Sequence, residues 1–227
     1  MSNAKRVRDA NKTVFENKSF DEYDRNSSIF DEDRQASIEA TVWSAASNGA
    51  DMLLDIGCGT GNVLRLAKKY FKRYFGIDIS YSLMREVKKR GICENVVTGE
   101  ADFLPLKSEK FGMVTLYGVL HHLYSHERCI AEAYRVLCRG GILYIDHDPN
   151  YFFGRVYNFF YRITHIGSYG FGSRDTEISE WHNTRTGGIN PEKIAKQLRS
   201  LGCRDIKISY RLTTNKQLPM HFKLIRD

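Results

Sequence analysis

The stretch Leu53-Leu54-Asp55-Ile56-Gly57-Cys58-Gly59-Thr60-Gly61-Asn62-Val63 decides the fold. A short apolar run breaks into a turn with glycine at every second position and continues into an amphipathic helical pattern. Glycines remove side chains where a ligand must meet backbone, and the free N–H groups at the start of the next helix favour a carboxylate or phosphate. A dinucleotide fingerprint would need glycine at position 62, where Asn62 stands, and a Walker loop would need a Gly-Lys-Ser/Thr ending, which is absent.

Outward from this turn the chain alternates. Apolar runs at Met52–Ile56, Tyr74–Ile79, Asn95–Thr98, Met113–Tyr117 and Ile142–Asp146 read as strands, and Val63–Tyr70, Ser82–Arg90 and Cys129–Leu137 read as helices between them. That order predicts an α/β fold with a mostly parallel sheet and crossover helices on both faces. Later, Pro191 opens another helix that runs to Leu201, with Gly202 just beyond it. The runs Asp205–Leu212 and Met220–Arg226 are joined by a loop too short for a crossover, so the last strand is expected to be antiparallel, the seventh of the sheet.

The pattern Asp55-x-Gly57-x-Gly59-x-Gly61 resembles the signature of class I S-adenosylmethionine-dependent methyltransferases, especially the ubiquinone-biosynthesis-like branch, over about residues 51–150. The resemblance implies a Rossmann-like doubly wound sheet and S-adenosylmethionine as methyl donor, with S-adenosylhomocysteine as product. It places Asp55, Gly57, Cys58, Gly59 and Gly61 in the donor loop, and Asp78 with Ile79 at the end of the second strand facing the ribose. Ala101-Asp102-Phe103 flanks the adenine, with Asp102 accepting its amino group, and Tyr117-Gly118 ends the fourth strand beside the donor. Arg135-Val136-Leu137 and Gly140-Gly141-Ile142 resemble the family's turn into the fifth strand, while Gly112 departs from the acid usual in the fourth. Phe20-Asp21-Glu22-Tyr23-Asp24 resembles an element that folds over the donor, which makes Tyr23 a lid candidate; an exposed acidic helix start is the other reading.

In open α/β sheets ligands lie beyond the carboxyl ends of the strands, so the acceptor approaches over strands four and five. Tyr117, His121 and His122 are the catalytic candidates, a histidine being able to take a proton from a hydroxyl or amine; a structural role as a helix start competes with this. Asp146-His147-Asp148 lies within reach, with His147 a substrate contact. Alternation along a strand sends its carboxylates to different faces from the histidine, so no metal is expected. Residues 151–190 form an aromatic insertion in which Phe152, Val156, Phe159, Phe160 and Ile163 share one helical face. Downstream, Trp181, His182 and Arg185 are expected to meet the acceptor.

Composition limits the alternatives. Residues 1–50 are charged, then helical around Ile38, Val42, Ala45 and Ala46, and are expected to form an extension or lid on a methyltransferase domain at 51–227. Ser2-Asn3-Ala4 looks like a cloning remnant and is left out of the fold reading. No apolar run approaches the roughly eighteen residues of a spanning helix, and Met1–Lys12 lacks an apolar leader, so a cytoplasmic protein is expected. Cys58, Cys93, Cys129, Cys138 and Cys203 show no disulfide or zinc spacing. The formal charge of +7 is spread along helices, so no stable nucleic-acid partner is expected. The expected reaction is methyl transfer to a small-molecule or lipid-precursor acceptor; RNA or protein methylation and non-catalytic donor binding are the alternatives. An Asn/Asp-Pro-Pro-Tyr element, typical of base-amine methylation, is missing after the fourth strand.

Overall fold

The computed structural model describes residues 2–26, 32–152, 155, 173–182 and 187–210, and the backbone of 219–226. Its centre is a seven-stranded sheet in the order β3-β2-β1-β4-β5-β7-β6. The strands are β1 (Met52–Ile56), β2 (Arg73–Asp78), β3 (Val96–Thr98), β4 (Phe111–Tyr117), β5 (Leu137–Pro149), β6 (Cys203–Tyr210) and β7 (Pro219–Arg226). β1 to β5 pair in parallel, and β7 runs antiparallel to both β5 and β6.

Helices α4 (Asn62–Tyr70), α5 (Tyr81–Lys89), α6 (His126–Val136) and α8 (Pro191–Ser200) alternate with the strands. Each presents one apolar stripe to the sheet, as Val63, Leu64, Leu66 and Ala67 do on α4. Two buried clusters result. One holds Leu54, Leu116, Ile130 and Leu198; the other holds Ile38, Leu53, Leu64 and Met113. Because β1 and β4 are covered on both faces, their residues are apolar almost without interruption. No described helix is long and apolar enough to cross a membrane.

Three helices precede the sheet: α1 (Asn3–Glu16), α2 (Phe20–Asn26) and α3 (Glu32–Ser47). Ser2, Asn3 and Ala4 belong to the fold, contrary to the expectation of a remnant outside it. Ser2 caps α1 by accepting the Lys5 N–H, and α1 packs against α5 and the short helix α7 (Arg174–Ser179). Glu16, ending α1, accepts from the Ser82 N–H and the Ser80 hydroxyl at the start of α5. In α2, Asp21 pairs with Arg90 at 2.7 Å and Asp24 with Arg65 at 3.0 Å, so the segment is clamped to both helices beside the glycine turn.

β5 outruns its expected length and carries an irregularity between Ile145 and Asp148 in its pairing with β7. There His147 adopts φ 65°, a left-handed conformation, and strict alternation fails. Asp146 and Asp148 are both buried and not solvated, and each accepts a backbone N–H, from His147 and His121 respectively. Apart from Tyr151, Phe152 and Arg155, the expected aromatic helix at 151–163 lies outside the described residues.

Candidate active site

A cavity of about 280 Å³ opens at the carboxyl ends of β1, β2 and β4. Its floor is the backbone of Gly57 and Gly59. Asp78 and Ile79 stand on one side, Ala101 and Asp102 after β3, and Tyr117 and Gly118 at the end of β4. Val7, Asn11 and Phe15 of α1 with Tyr23 of α2 form the roof, and Tyr124, Ser125 and Arg128 line the remaining wall.

Asp78 organises the floor. Its carboxylate accepts the Gly59 N–H at 2.8 Å and the Ser80 N–H at 2.9 Å, fixing the turn to the end of β2. Burial raises its pKa, and the backbone hydrogen bonds only partly oppose this. Gly59 has φ 51°, and a Cβ there would meet only the Tyr23 ring, 4.0 Å away. Bare backbone thus faces open space beneath an aromatic roof, so a ligand can lie directly against it. Burial, with the charges of Asp78, Glu180 and Asp24, raises the Tyr23 phenol, so Tyr23 is neutral at physiological pH.

Other donor-loop residues support the cavity without lining it. Asp55 lies beneath the loop, accepts the Thr115 hydroxyl at 2.6 Å, and is pushed up to about 7 by burial. The Cys58 thiol is buried against the Met84 sulfur, 3.7 Å away. Gly61 caps α4, and a Cβ there would press on Ile92 at 2.9 Å. Phe103 is 75 % exposed and does not line the cavity. The neighbouring β3–β4 loop is held through Leu104, whose N–H donates to Glu132, leaving Phe103 turned toward solvent.

On the acceptor side, Leu120–His122 forms a 3-10 turn after β4. His122 lines the cavity and its Nδ1 lies 2.9 Å from the Ser179 carbonyl. Burial first, and then the charge of His121, push it down to about 4. A base that weak is poorly matched to proton abstraction at neutral pH. His121 does not line the cavity, and its Nδ1 lies 2.7 Å from buried Asp148. Burial disfavours its charge, but the Asp148 hydrogen bond and the Glu180 charge outweigh that, and its pKa rises.

Tyr117 stacks on His147 with ring centroids 5.1 Å apart, and burial with the Arg34 charge lowers His147 to about 4. His147 lies behind the wall, as do Trp181, packed on Tyr124 at 5.2 Å, and His182, beside His126 at 5.3 Å. None of the three lines the cavity, and Arg185 lies outside the described residues.

Sequence reasoning missed the α1 wall. Val7, Asn11 and Phe15 recur every four residues, a helical stripe in an otherwise polar segment, and that signal was available. Asn11 Nδ2 donates to the His122 carbonyl at 2.7 Å, tying α1 to the 3-10 turn. Tyr124, Ser125 and Arg128 were also missed, because nothing in their order marks them as facing a ligand.

Residues 54–145 match the family described as Methyltransferase domain. An uncharacterized protein of Methanocaldococcus jannaschii, MJ1123, is 38% identical over 105 residues, covering 46% of this chain and 48% of the relative. A probable tRNA methyltransferase 9B of Mus musculus is 35% identical over 97 residues, covering 41% of this chain and 21% of the relative. Among solved structures, the magnesium protoporphyrin IX methyltransferase of Synechocystis PCC 6803 with bound SAH superposes with a TM-score of 0.69 at 16% identity, covering 95% of this chain and 98% of that one. The chain spans between about half and two thirds of the length of the first curated relatives it matches. The fold is shared with solved S-adenosylmethionine-dependent methyltransferases, and residues 54–145 are similar to a methyltransferase domain.

Proposed function

We propose that the chain is an S-adenosylmethionine-dependent methyltransferase acting on a small-molecule or lipid-precursor acceptor. The observation that carries this reading is the roofed cavity joining Asp78 and the bare Gly57–Gly59 backbone to His122 and Tyr124. The donor supplies a methyl group on a sulfonium sulfur whose positive charge is lost on transfer. The protein's own work is then alignment and exclusion of water. Asp78 accepts from the ribose hydroxyls, Asp102 and Ala101 hold the adenine end with Ile79, and Gly118 bounds the reactive end. Tyr117 and His122 border the transfer point, while α1 and α2, with Tyr23, form the lid.

The lid favours a small acceptor, because a cavity near the lower end of ligand-pocket volumes sits under it and a base in a folded polymer would have to pass beneath. Tyr23 over the glycine turn also supports placing the chain near the ubiquinone-biosynthesis-like branch. A second reading, tRNA methylation, draws on the +7 charge and on the relative named a tRNA methyltransferase. Labelled donor offered with a panel of quinol, phenol and fatty-acid acceptors, and separately with tRNA, decides between them. Turnover with a small acceptor, and RNA binding lost at modest salt, is expected; tight, salt-resistant tRNA binding with methyl incorporation would overturn the small-acceptor reading. Donor binding without any turnover would return the chain to a binding role.

A further inference from the structure

Behind the His122 wall, α7 ends where Glu180 meets the 3-10 turn. Among the described residues, His121, His122 and Glu180 bring three potential ligand atoms within 4.8 Å of one another. Glu180 Oε2 stands 3.7 Å from His121 Nε2, and Oε1 stands 3.8 Å from His122 Nδ1. Ligands about 2.0–2.1 Å from a tetrahedral zinc ion are separated by about 3.3 Å, so small side-chain rotations close the gap.

Orientation supports the distances. His121 Nδ1 bonds to Asp148, whose side chain is fully buried, leaving Nε2 directed at Glu180. A carboxylate behind a ligating imidazole fixes its tautomer and raises its donor strength. Asp148 also accepts the His121 backbone N–H at 3.0 Å, while its other oxygen, Oδ2, is buried without a hydrogen-bond partner among the described residues. His122 Nδ1 faces the Ser179 carbonyl, so capture through Nδ1 costs that hydrogen bond and capture through Nε2 keeps it. The sequence concealed the set because Glu180 lies 58 positions beyond His122.

The geometry points to a binding site for a divalent transition cation, zinc or its cobalt analogue, held by His121, His122 and Glu180 with Asp148 supporting His121. Two imidazoles and a carboxylate suit such an ion better than magnesium or calcium, which prefer oxygen alone. Three protein ligands leave coordination open to water or a fourth ligand, and of the three only His122 also lines the cavity. The site stands on its own geometry and does not depend on the methyl donor. Lys18 places a positive charge near both Glu180 and His122, and it must be overcome by the cation.

The test uses the whole chain, stripped with a chelator and titrated with cobalt(II), reading its visible d–d absorption, and with zinc by calorimetry. One equivalent is expected, with affinity reduced at least 100-fold in Glu180→Gln and His121→Asn, and 10–100-fold in Asp148→Asn. Lys18→Met is expected to bind several-fold more tightly, which a non-folding artefact cannot produce, and His126→Ala is expected to match the parent. Circular dichroism confirms that each variant is folded. No stoichiometric binding, or binding unchanged in folded Glu180→Gln and His121→Asn, would overturn the site. Calorimetry with S-adenosylhomocysteine on the stripped chain is read separately, so failure of the metal site is distinct from failure of the donor assignment.

Discussion

Replacing Asp78 by alanine tests how the cavity holds its donor. The carboxylate already fixes Gly59 and Ser80 through two backbone hydrogen bonds, and it borders the cavity with acceptor capacity remaining for ribose hydroxyls. Hydrogen bonds to a charged group contribute about 1.5–3 kcal/mol each, so losing two to the ribose costs at least about 3 kcal/mol. At roughly 1.4 kcal/mol per tenfold, affinity for S-adenosylhomocysteine is expected to fall by more than about 100-fold. Isothermal titration calorimetry at pH 7.5 reads this directly. Asp78→Asn serves as a second variant, retaining one acceptor oxygen for the turn while removing the charge, and is expected to lose at least tenfold. Affinity within twofold of the parent in a folded Asp78→Ala protein would refute the ribose assignment.

Three further outcomes follow from the same geometry. Asp55, held at about 7 against an unfolded value of about 3.9, keeps a proton in the fold that the unfolded chain releases. Its stability contribution, up to about 4 kcal/mol, is full below pH 4 and lost as pH rises toward and through 7; Asp55→Asn should flatten that loss in urea unfolding between pH 4 and 8, and an unaltered pH profile would contradict it. Asn11→Ala leaves the His122 carbonyl without its α1 donor and should cost about 1–3 kcal/mol, seen as a lower thermal midpoint, whereas an unchanged midpoint would show that this tie is not stabilising. Phe103→Ser changes an exposed side chain outside the wall and should leave donor affinity within twofold; a tenfold loss would return Phe103 to the adenine pocket.

The half of the cavity proposed for the donor was legible because its residues are set locally. The glycine turn, Asp78 at a strand end and Ala101-Asp102 after β3 each occupy a position that one strand–helix unit dictates, and all but the supporting residues Asp55, Cys58 and Gly61 and the exposed Phe103 border the cavity. The acceptor half depends on tertiary contacts. His121 is oriented by Asp148 across a bulge in β5 that strict strand alternation does not foresee, and His122 meets Ser179 from another helix. Trp181 and His182 have suitable chemistry, yet α7 leaves them behind Tyr124 and beside His126. The α1 roof differs: Val7, Asn11 and Phe15 stand at helical spacing in a charged segment, and only the tertiary fold shows what that stripe covers.

The proposed donor, an adenosyl sulfur compound, is expected to lie on the Gly57–Gly59 backbone under Tyr23. Equilibrium binding of S-adenosylhomocysteine, NAD and FAD to the purified chain measures it most directly. One equivalent of S-adenosylhomocysteine, with neither dinucleotide competing for it, is the expected result; uptake of a dinucleotide and indifference to S-adenosylhomocysteine would contradict that placement.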